Sequence, residues 1–557
     1  MKVRVKIVAF PGGFAAEAAL PERYNLPRMG RPRWLSILLL IAALSPFVSP
    51  SQRDLFVGDE TKYGRILLEM RETGLRLVPL LQGEPYTHKP PLHFWLIYLM
   101  TFVFGPNSTW PFVLPSLLSY LALIAITAWI ARGLFGEESS LGSAFVFATA
   151  YFSWGLAQTA RMDLMFTALL SAACYAVYRF CERGRFSQLN LAALLAGLAV
   201  LVKGPMAAVI LIALVLIEWV RRRRLPRGNY LWPILILAAI PLLWLIPAIL
   251  SAGESYAHEL LVRQNLGRAV NAWVHKEPAW FYVFRAPATM FPWLFTFLMA
   301  LLALWRNQDE RQRNALRFCV NWMLAILIPY TLLSSKLDVY MMAMVVPLSL
   351  VAGSFIATET RERWSRRAAH VHAAVMILFG AIFLAAVLLA PRFVDELPEL
   401  AMLERPIVAG YFWGTFLVAM ASAGFALAMR NRGVIFSAAA LAIAALFPMI
   451  YMTLFLMPIA NDLGSTKPLV RAILAQRVPV KEVALHASPH LWARDMPEEL
   501  RSIRYVTPES LLELDPKPTV IITRDKRADL LHLTLPRYSR VDQFRMRGKW
   551  FYVYRHR

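Results

Sequence analysis

Thirteen apolar stretches, each near the roughly 20 residues that cross a bilayer, recur along the 557-residue chain and limit what it can fold into. They lie near 34–52, 109–133, 140–159, 162–180, 189–202, 205–220, 231–252, 286–305, 318–334, 338–357, 369–390, 407–429 and 434–457. Composition agrees: 58% of residues are hydrophobic and mean hydropathy is +0.48, where soluble domains are about 45–50% apolar. A formal net charge of +23 alone would also suit a nucleic-acid binder. Basic residues set between bilayer-length apolar runs instead indicate a polytopic α-helical membrane protein. A soluble enzyme, a disordered chain and a sequence-reading nucleic-acid protein are excluded. Cys174, Cys181 and Cys319 sit in or beside apolar runs and read as buried fillers, not a disulfide framework or zinc knuckle.

The run 90–106 is a rival fourteenth span, and loop charge arbitrates. Without it, the basic tail Lys2 to Arg33, Arg132, Arg179/Arg183/Arg185, Arg221–Arg224 with Arg227, Arg306 to Arg317, Arg361 to Arg367 and Arg430/Arg432 all fall on one side. Counting it inverts everything downstream and scatters these clusters. The positive-inside rule then predicts thirteen spans, a cytoplasmic N-terminus and a C-terminus outside. The run 90–106, short and carrying His93, is expected as an interfacial helix on the outer leaflet. The first span has a long basic lead and no clear small-residue cleavage site, so it is expected as an uncleaved anchor.

The multispan module is expected over 1–460, with outer loops 53–108 and 253–285 covering a site. Residues 461–557 turn polar, with β-like runs at Val483–His486, Thr519–Thr523 and Trp550–Tyr554 and a helical pattern at Pro508–Leu514. They are expected to form a small α/β outer domain.

The outer loops carry the chemistry. Asp59-Glu60 follows a glycine just past the first span, and Ile66, Leu67 and Met70 predict a short amphipathic helix after it. The acids suit a helix first turn or a site. Asp163, at the mouth between the third and fourth spans, is either an ion-pair partner of Arg161 or a functional group. Two acids facing one outer space fit a base and a positioning carboxylate. Lys62, Lys89, Lys203, Arg263, Arg268 and Lys336 come from several outer turns. Singly each is an interface anchor; together they suit a lipid-linked phosphate. Glu84, His88 and His275 are either polar loop residues or ligands of a divalent metal such as zinc. No Walker A loop or dinucleotide fingerprint is present.

The ordered series Gly58-Asp-Glu-Thr-Lys-Tyr63, Tyr86-x-x-Lys-Pro90, Asp163, Lys203-Gly-Pro and Ser335-Lys-Leu-x-x-Tyr340 resembles the polyprenyl-phosphate-sugar-dependent glycosyltransferases of the C fold, in the protein-mannosyltransferase-like group. Within it, the resemblance is to the lipid A aminoarabinose transferases. It extends over nearly the whole chain. It departs at His88, where an acid would be expected, with Glu84 four residues earlier; this leaves the ligand there open. The resemblance implies a C-type glycosyltransferase fold with about 13 transmembrane helices and a small α/β periplasmic domain, in the bacterial inner membrane. It implies undecaprenyl-phosphate-aminoarabinose as donor, lipid A phosphate as acceptor, inverting transfer, and resistance to polymyxin. Asp59, Glu60 and Asp163 would be catalytic. Lys89 and Arg268 would hold the leaving phosphate, helped by Lys62, Tyr86, Lys203, Lys336 and Tyr340. No cofactor is required by the resemblance beyond the open metal question, and a monomer is expected. Two rivals stand beside this reading: a related polyprenyl-phosphate-hexose transferase acting on protein or glycan hydroxyls, and a lipid transporter. Against the transporter, no Gly/Pro-broken span pair recurs in matching halves.

Overall fold

The computed structural model describes residues 33–56, 59–267, 276–306, 309–393, 405–486, 490–494, 496–507, 510, 513, 517–524 and 537–557. Among them, ten helices are long and apolar enough to cross a membrane, or eleven if the bent pair Phe281–Thr289 and Leu294–Trp305, at 101°, counts as one span. The chain is a multi-pass membrane protein. Its early helices are α1 (Arg33–Gln52), α2 (Glu60–Thr73), α3 (Leu92–Phe104), α4 (Trp110–Phe135), α5 (Glu138–Ala148), α6 (Tyr151–Ala157), α7 (Asp163–Arg183), α8 (Phe186–Lys203), α9 (Met206–Arg222) and α10 (Leu231–Ala257).

The expected thirteen spans and the observed eleven differ at two segments, both helical, and at ten the bent pair over the expected 286–305 is the third. The stretch 205–220 forms α9, whose 17 residues reach about 26 Å at about 1.5 Å per residue. The stretch 140–159 is broken into α5 and α6 at Thr149–Ala150. A break inside a bundle must satisfy its freed backbone groups locally. Here Tyr120 donates to the Ala148 carbonyl at 2.6 Å and Ser153 to the Phe147 carbonyl at 2.6 Å, while the Trp293 indole donates to the Thr149 hydroxyl at 3.1 Å. The run 90–106 is α3, whose 13 residues give about 20 Å, too short to span.

Small residues let the bundle close. The helix Met342–Thr358 is buried from Met342 to Ile356. A Cβ on Gly142 of α5 would sit 2.5 Å from the Gly353 carbonyl, and one on Gly353 2.3 Å from the Ser143 backbone. Only glycine on both sides permits that backbone approach.

The C-terminal region forms a five-stranded mixed sheet in the order β4-β3-β5-β7-β6. The strands are β3 (Val483–His486), β4 (Arg504–Val506), β5 (Val520–Arg524), β6 (Tyr538–Met546) and β7 (Lys549–His556). Strand β3 pairs parallel with β4 and β5, whereas β7 pairs antiparallel with β5 and β6. A two-stranded hairpin, β1 (Leu80–Leu81) with β2 (Glu84–Pro85), precedes them in the chain.

Helix α2 joins bundle to sheet. It is more than amphipathic: Tyr63, Ile66 and Met70 enter the bundle core, while Leu67 and Leu68 enter the core beneath the sheet with Leu485, Trp492 and Phe551. Gly64 makes this possible, because a Cβ there would meet the Trp492 side chain at 2.5 Å. Arg494 fastens the sheet to the end of α1, donating to the carbonyls of Ser51 at 3.0 Å, Pro50 at 2.8 Å and Arg53 at 2.7 Å. Lys467 adds an ion pair to buried Asp54 at 2.9 Å.

Candidate active site

Asp163 opens α7 and is buried, with 3% of its side chain exposed. A carboxylate suits the positive end of a helix, but its partners here are two cations. Arg161 Nε donates to Oδ2 at 2.9 Å, and Lys203 Nζ to Oδ1 at 2.5 Å. Lys203 ends α8, where Gly204 turns the chain at φ +114°. Its ammonium also lies 4.9 Å from the Tyr340 ring centre and 5.4 Å from that of Phe166, both within cation–π reach. Tyr340 is stacked on Tyr330 at 4.6 Å. Asp163 thus organises a cation pair at the ends of α7 and α8, backed by aromatic rings.

Asp59 precedes α2 and is half exposed, with Lys62 Nζ 2.9 Å from its Oδ1. Partial burial raises its carboxyl, but the charge and hydrogen bond of Lys62, with Arg161 and Lys89 nearby, more than offset this. They hold it below the usual carboxylate range. Arg161 therefore stands between the two acids, bonded to Asp163 and within the field of Asp59. Burial lowers the Arg161 guanidinium and the Asp163 charge outweighs it, so Arg161 stays protonated. The structure brings Asp59, Lys62, Lys89, Asp163, Lys203 and Tyr340 into two clusters joined by Arg161.

Other expected site residues are placed differently. Glu60 turns away from Asp59. It is fully buried and pairs with both terminal guanidinium nitrogens of buried Arg53. It also accepts from the backbone N–H of Ala160 at 2.7 Å and of Phe56 at 2.9 Å. With at least four donors on it, Glu60 ties α1, α2 and the 158–160 turn together, a structural placement apart from the Asp59 cluster. Lys336 is likewise spent on structure. It is 4% exposed, and its ammonium donates to the carbonyls of Glu277 at 2.9 Å and Leu333 at 2.6 Å. Tyr86 is buried, its ring 5.2 Å from that of His88 and 5.6 Å from that of Phe94. His88 is exposed and lies within the electrostatic reach of Glu259, just past α10. Glu84 is exposed on the β1–β2 hairpin. Arg268 and His275 lie outside the described residues. Among the described residues, no group of three or more His, Cys, Asp or Glu could hold a metal.

Three residues were not singled out from sequence. Tyr63 follows Asp59 by one helical turn, its N–H bonded to the Asp59 carbonyl at 3.0 Å. Burial and the Asp59 charge push its phenol up, so it remains a donor. The spacing within Asp-Glu-Thr-Lys-Tyr held that signal. His93 opens α3, is fully buried, and packs edge-on to Tyr63 at 6.1 Å. Burial pushes its imidazole down to about 4, with Asp163 opposing. His490, from the C-terminal region, is also pushed down to about 4 by burial and by Lys62 and Arg65. Its approach to Asp59 depends on tertiary packing alone.

A multi-span bundle capped by a small sheet thus carries a buried carboxylate held by two cations and, joined to it through Arg161, a half-exposed carboxylate paired with Lys62. ArnT from Cupriavidus metallidurans has the same architecture. Its apo structure superposes with a TM-score of 0.71 at 16% identity, covering 94% of this chain and 98% of that one. Its structure bound to undecaprenyl phosphate gives 0.69 at 17% identity, with the same coverage. The Dolichyl-phosphate-mannose-protein mannosyltransferase family profile matches residues 88–249. An undecaprenyl phosphate-alpha-4-amino-4-deoxy-L-arabinose arabinosyl transferase from Yersinia enterocolitica is 28% identical over 361 residues, 63% of this chain and 64% of that protein. A protein of the same name from Pseudomonas paraeruginosa is 28% identical over 342 residues, 60% of this chain and 61% of that one. The matched stretch thus spans under two thirds of either relative's length.

Proposed function

We propose that this protein transfers 4-amino-4-deoxy-L-arabinose from undecaprenyl phosphate to a lipid A phosphate, giving resistance to polymyxin and other cationic peptides. The observation that carries this reading is the gathering of Lys62, Lys89, Arg161 and Lys203, from separate segments, around Asp59 and Asp163. Such a site suits a reaction in which one phosphate attacks and another leaves. An acceptor phosphate oxygen attacks the anomeric carbon, and the bond to the undecaprenyl phosphate oxygen breaks, that oxygen keeping the electron pair. The acceptor enters as a dianion and the carrier departs as one, so no net proton moves. A phosphate monoester is already largely ionised at neutral pH, its second pKa being about 6, and needs little general-base help. Lys89 and Arg161 would meet the charge growing on the departing phosphate. Asp59 would orient the sugar ammonium or the acceptor. Attack opposite the leaving group inverts the anomeric centre. The reaction as written uses no metal.

Purified protein given radiolabelled donor lipid and lipid A tests the reading, with the product identified by mass. Label on a protein or glycan hydroxyl would favour the hexose-transferase alternative, and no transfer to either would reject both. Replacing Lys89 by alanine is expected to weaken undecaprenyl phosphate binding about 10- to 100-fold, the loss of one charge-assisted contact of about 1.5–3 kcal/mol. Equilibrium binding of the labelled lipid measures this; an unchanged Kd removes Lys89 from the phosphate site. Asp59→Asn is expected to lower kcat/KM for transfer by a similar factor while leaving the melting temperature unchanged, since the Lys62 pair it breaks is half exposed. Full polymyxin resistance in cells carrying this variant at normal expression would remove Asp59 from the reaction.

The proposed setting is the bacterial inner membrane, with the N-terminus cytoplasmic and residues 461–557 forming a periplasmic domain. Basic clusters confined to one set of loops support it. Alkaline phosphatase fused to the C-terminus is expected to be active, and a cytoplasmic reporter there silent; the reverse pattern inverts the topology.

A further inference from the structure

Helix α9 runs away from the Asp163 end of the array and finishes in Arg221 and Arg222. Those two are spoken for. Arg221 and Arg222 both bind fully buried Glu218, and Arg222 also pairs with Glu182 at 2.7 Å. The next three arginines differ: Arg223, Arg224 and Arg227 are exposed, and none has an ion pair or hydrogen bond among the described residues. Arg223 holds φ +57°, a left-handed conformation that non-glycine side chains adopt at a steric cost. Gly228 lets the following loop close onto α8, since a Cβ there would lie 2.2 Å from the Phe186 ring.

A groove of 480 Å³ lies at this turn, walled by Leu216 and Trp219 on α9 and closed by Arg227 and Tyr230; Arg223 and Arg224 immediately precede its Leu225–Gly228 edge in the chain. Its apolar wall continues along the helix. Val209, Ile212, Leu216 and Trp219 are 43%, 51%, 50% and 53% exposed, and their spacing of three or four residues forms one outward stripe. An apolar stripe ending at three unpaired guanidinium groups has the shape and charge order of an anionic amphiphile.

We propose that this groove seats one anionic phospholipid of the leaflet at this end of the bundle. Its chains lie along the α9 stripe and its phosphate lies among Arg223, Arg224 and Arg227. Arginine suits that role because its planar fork binds phosphate oxygens in pairs. The site is remote from Asp163 and is independent of the transfer reaction.

The test uses the full-length protein in phosphatidylcholine nanodiscs carrying a minor fraction of bromine-labelled lipid, either phosphatidylglycerol or phosphatidylcholine. Trp219 fluorescence is isolated by difference against Trp219→Phe. Trp305, 62% exposed and at the same end of the bundle, is isolated likewise as a measure of general lipid contact. A seated anionic lipid quenches Trp219 more than brominated phosphatidylcholine does, by a margin larger than at Trp305. Replacing Arg223, Arg224 and Arg227 by glutamine is expected to lower that preference about fivefold per arginine. The wild-type comparison stands if that variant fails to insert. Equal quenching of Trp219 by the two lipids, or a preference no greater than at Trp305, overturns the proposal.

Discussion

Asp163→Asn is expected to be the most damaging single substitution in the site, and to act on stability as well as on transfer. The carboxylate holds Arg161 at 2.9 Å and Lys203 at 2.5 Å, with Lys203 only 10% exposed. Asparagine keeps the shape but removes the charge, leaving two cations facing each other in a poorly solvated space. Stranding a buried charge in this way typically costs about 3–5 kcal/mol. The lost charge also frees Arg161 and Lys203 to swing away from the positions that meet phosphate. Transfer per folded molecule should therefore fall at least about 100-fold, beyond the loss of one charge-assisted contact. Thermal unfolding in detergent and transfer normalised to folded protein separate the two effects. A variant that melts lower but transfers normally per molecule would confine Asp163 to scaffolding. A second variant, Asp163→Asn with Lys203→Met, should recover part of the stability, because one stranded cation is gone, and none of the activity.

The site was partly legible in the sequence because its acids and cations sit at span ends, where a charged group stands out against apolar neighbours. Asp163, Lys203 and Asp59 were found that way. Their pairing was also within reach, since short turns put Arg161 beside Asp163 and helix ends α7 and α8 on the same side. Adjacent residues on a helix, however, point about 100° apart. Sequence could not say that Asp59 faces the open space while Glu60 faces inward to Arg53. Nor could it show Lys336 turned onto two carbonyls, because such backbone partners carry no residue signature. The fold followed the same division. Apolar runs located every spanning helix, but not the break at Thr149–Ala150, which is held by the local side chain of Ser153 and by Tyr120 and Trp293 from elsewhere in the fold. Strand β6 was missed because its residues Ser539 to Phe544 remain largely exposed, leaving little apolar pattern to read. His490 reaches the site through tertiary packing, two residues before Trp492, which lies against α2 at Gly64.

Glu60→Gln provides the contrast to the Asp59 and Asp163 variants and separates the two acids of the adjacent pair. Arg53 is 1% exposed and Glu60 0%. Arg53 also donates to the Gln158 carbonyl at 2.7 Å, and its own carbonyl accepts from Thr109 at 2.9 Å and from Arg494 at 2.7 Å. The pair therefore links the end of α1, the start of α2, the 158–160 turn, the start of α4 and the C-terminal sheet. Glutamine offers one acceptor oxygen where four donors converge, and it strands a guanidinium in a dry site. A loss of about 3–5 kcal/mol follows, seen as poor expression or a markedly lower melting temperature. Protein that does fold should retain donor-lipid affinity, because Lys62, Lys89 and Arg161 are untouched. Swapping the pair, Arg53→Glu with Glu60→Arg, should not rescue stability, since the Ala160 and Phe56 N–H groups need an acceptor on the α2 side. Normal stability with abolished transfer in Glu60→Gln would return this residue to the reaction. Lowered stability with transfer kept per folded molecule assigns the chemistry of the pair to Asp59 alone.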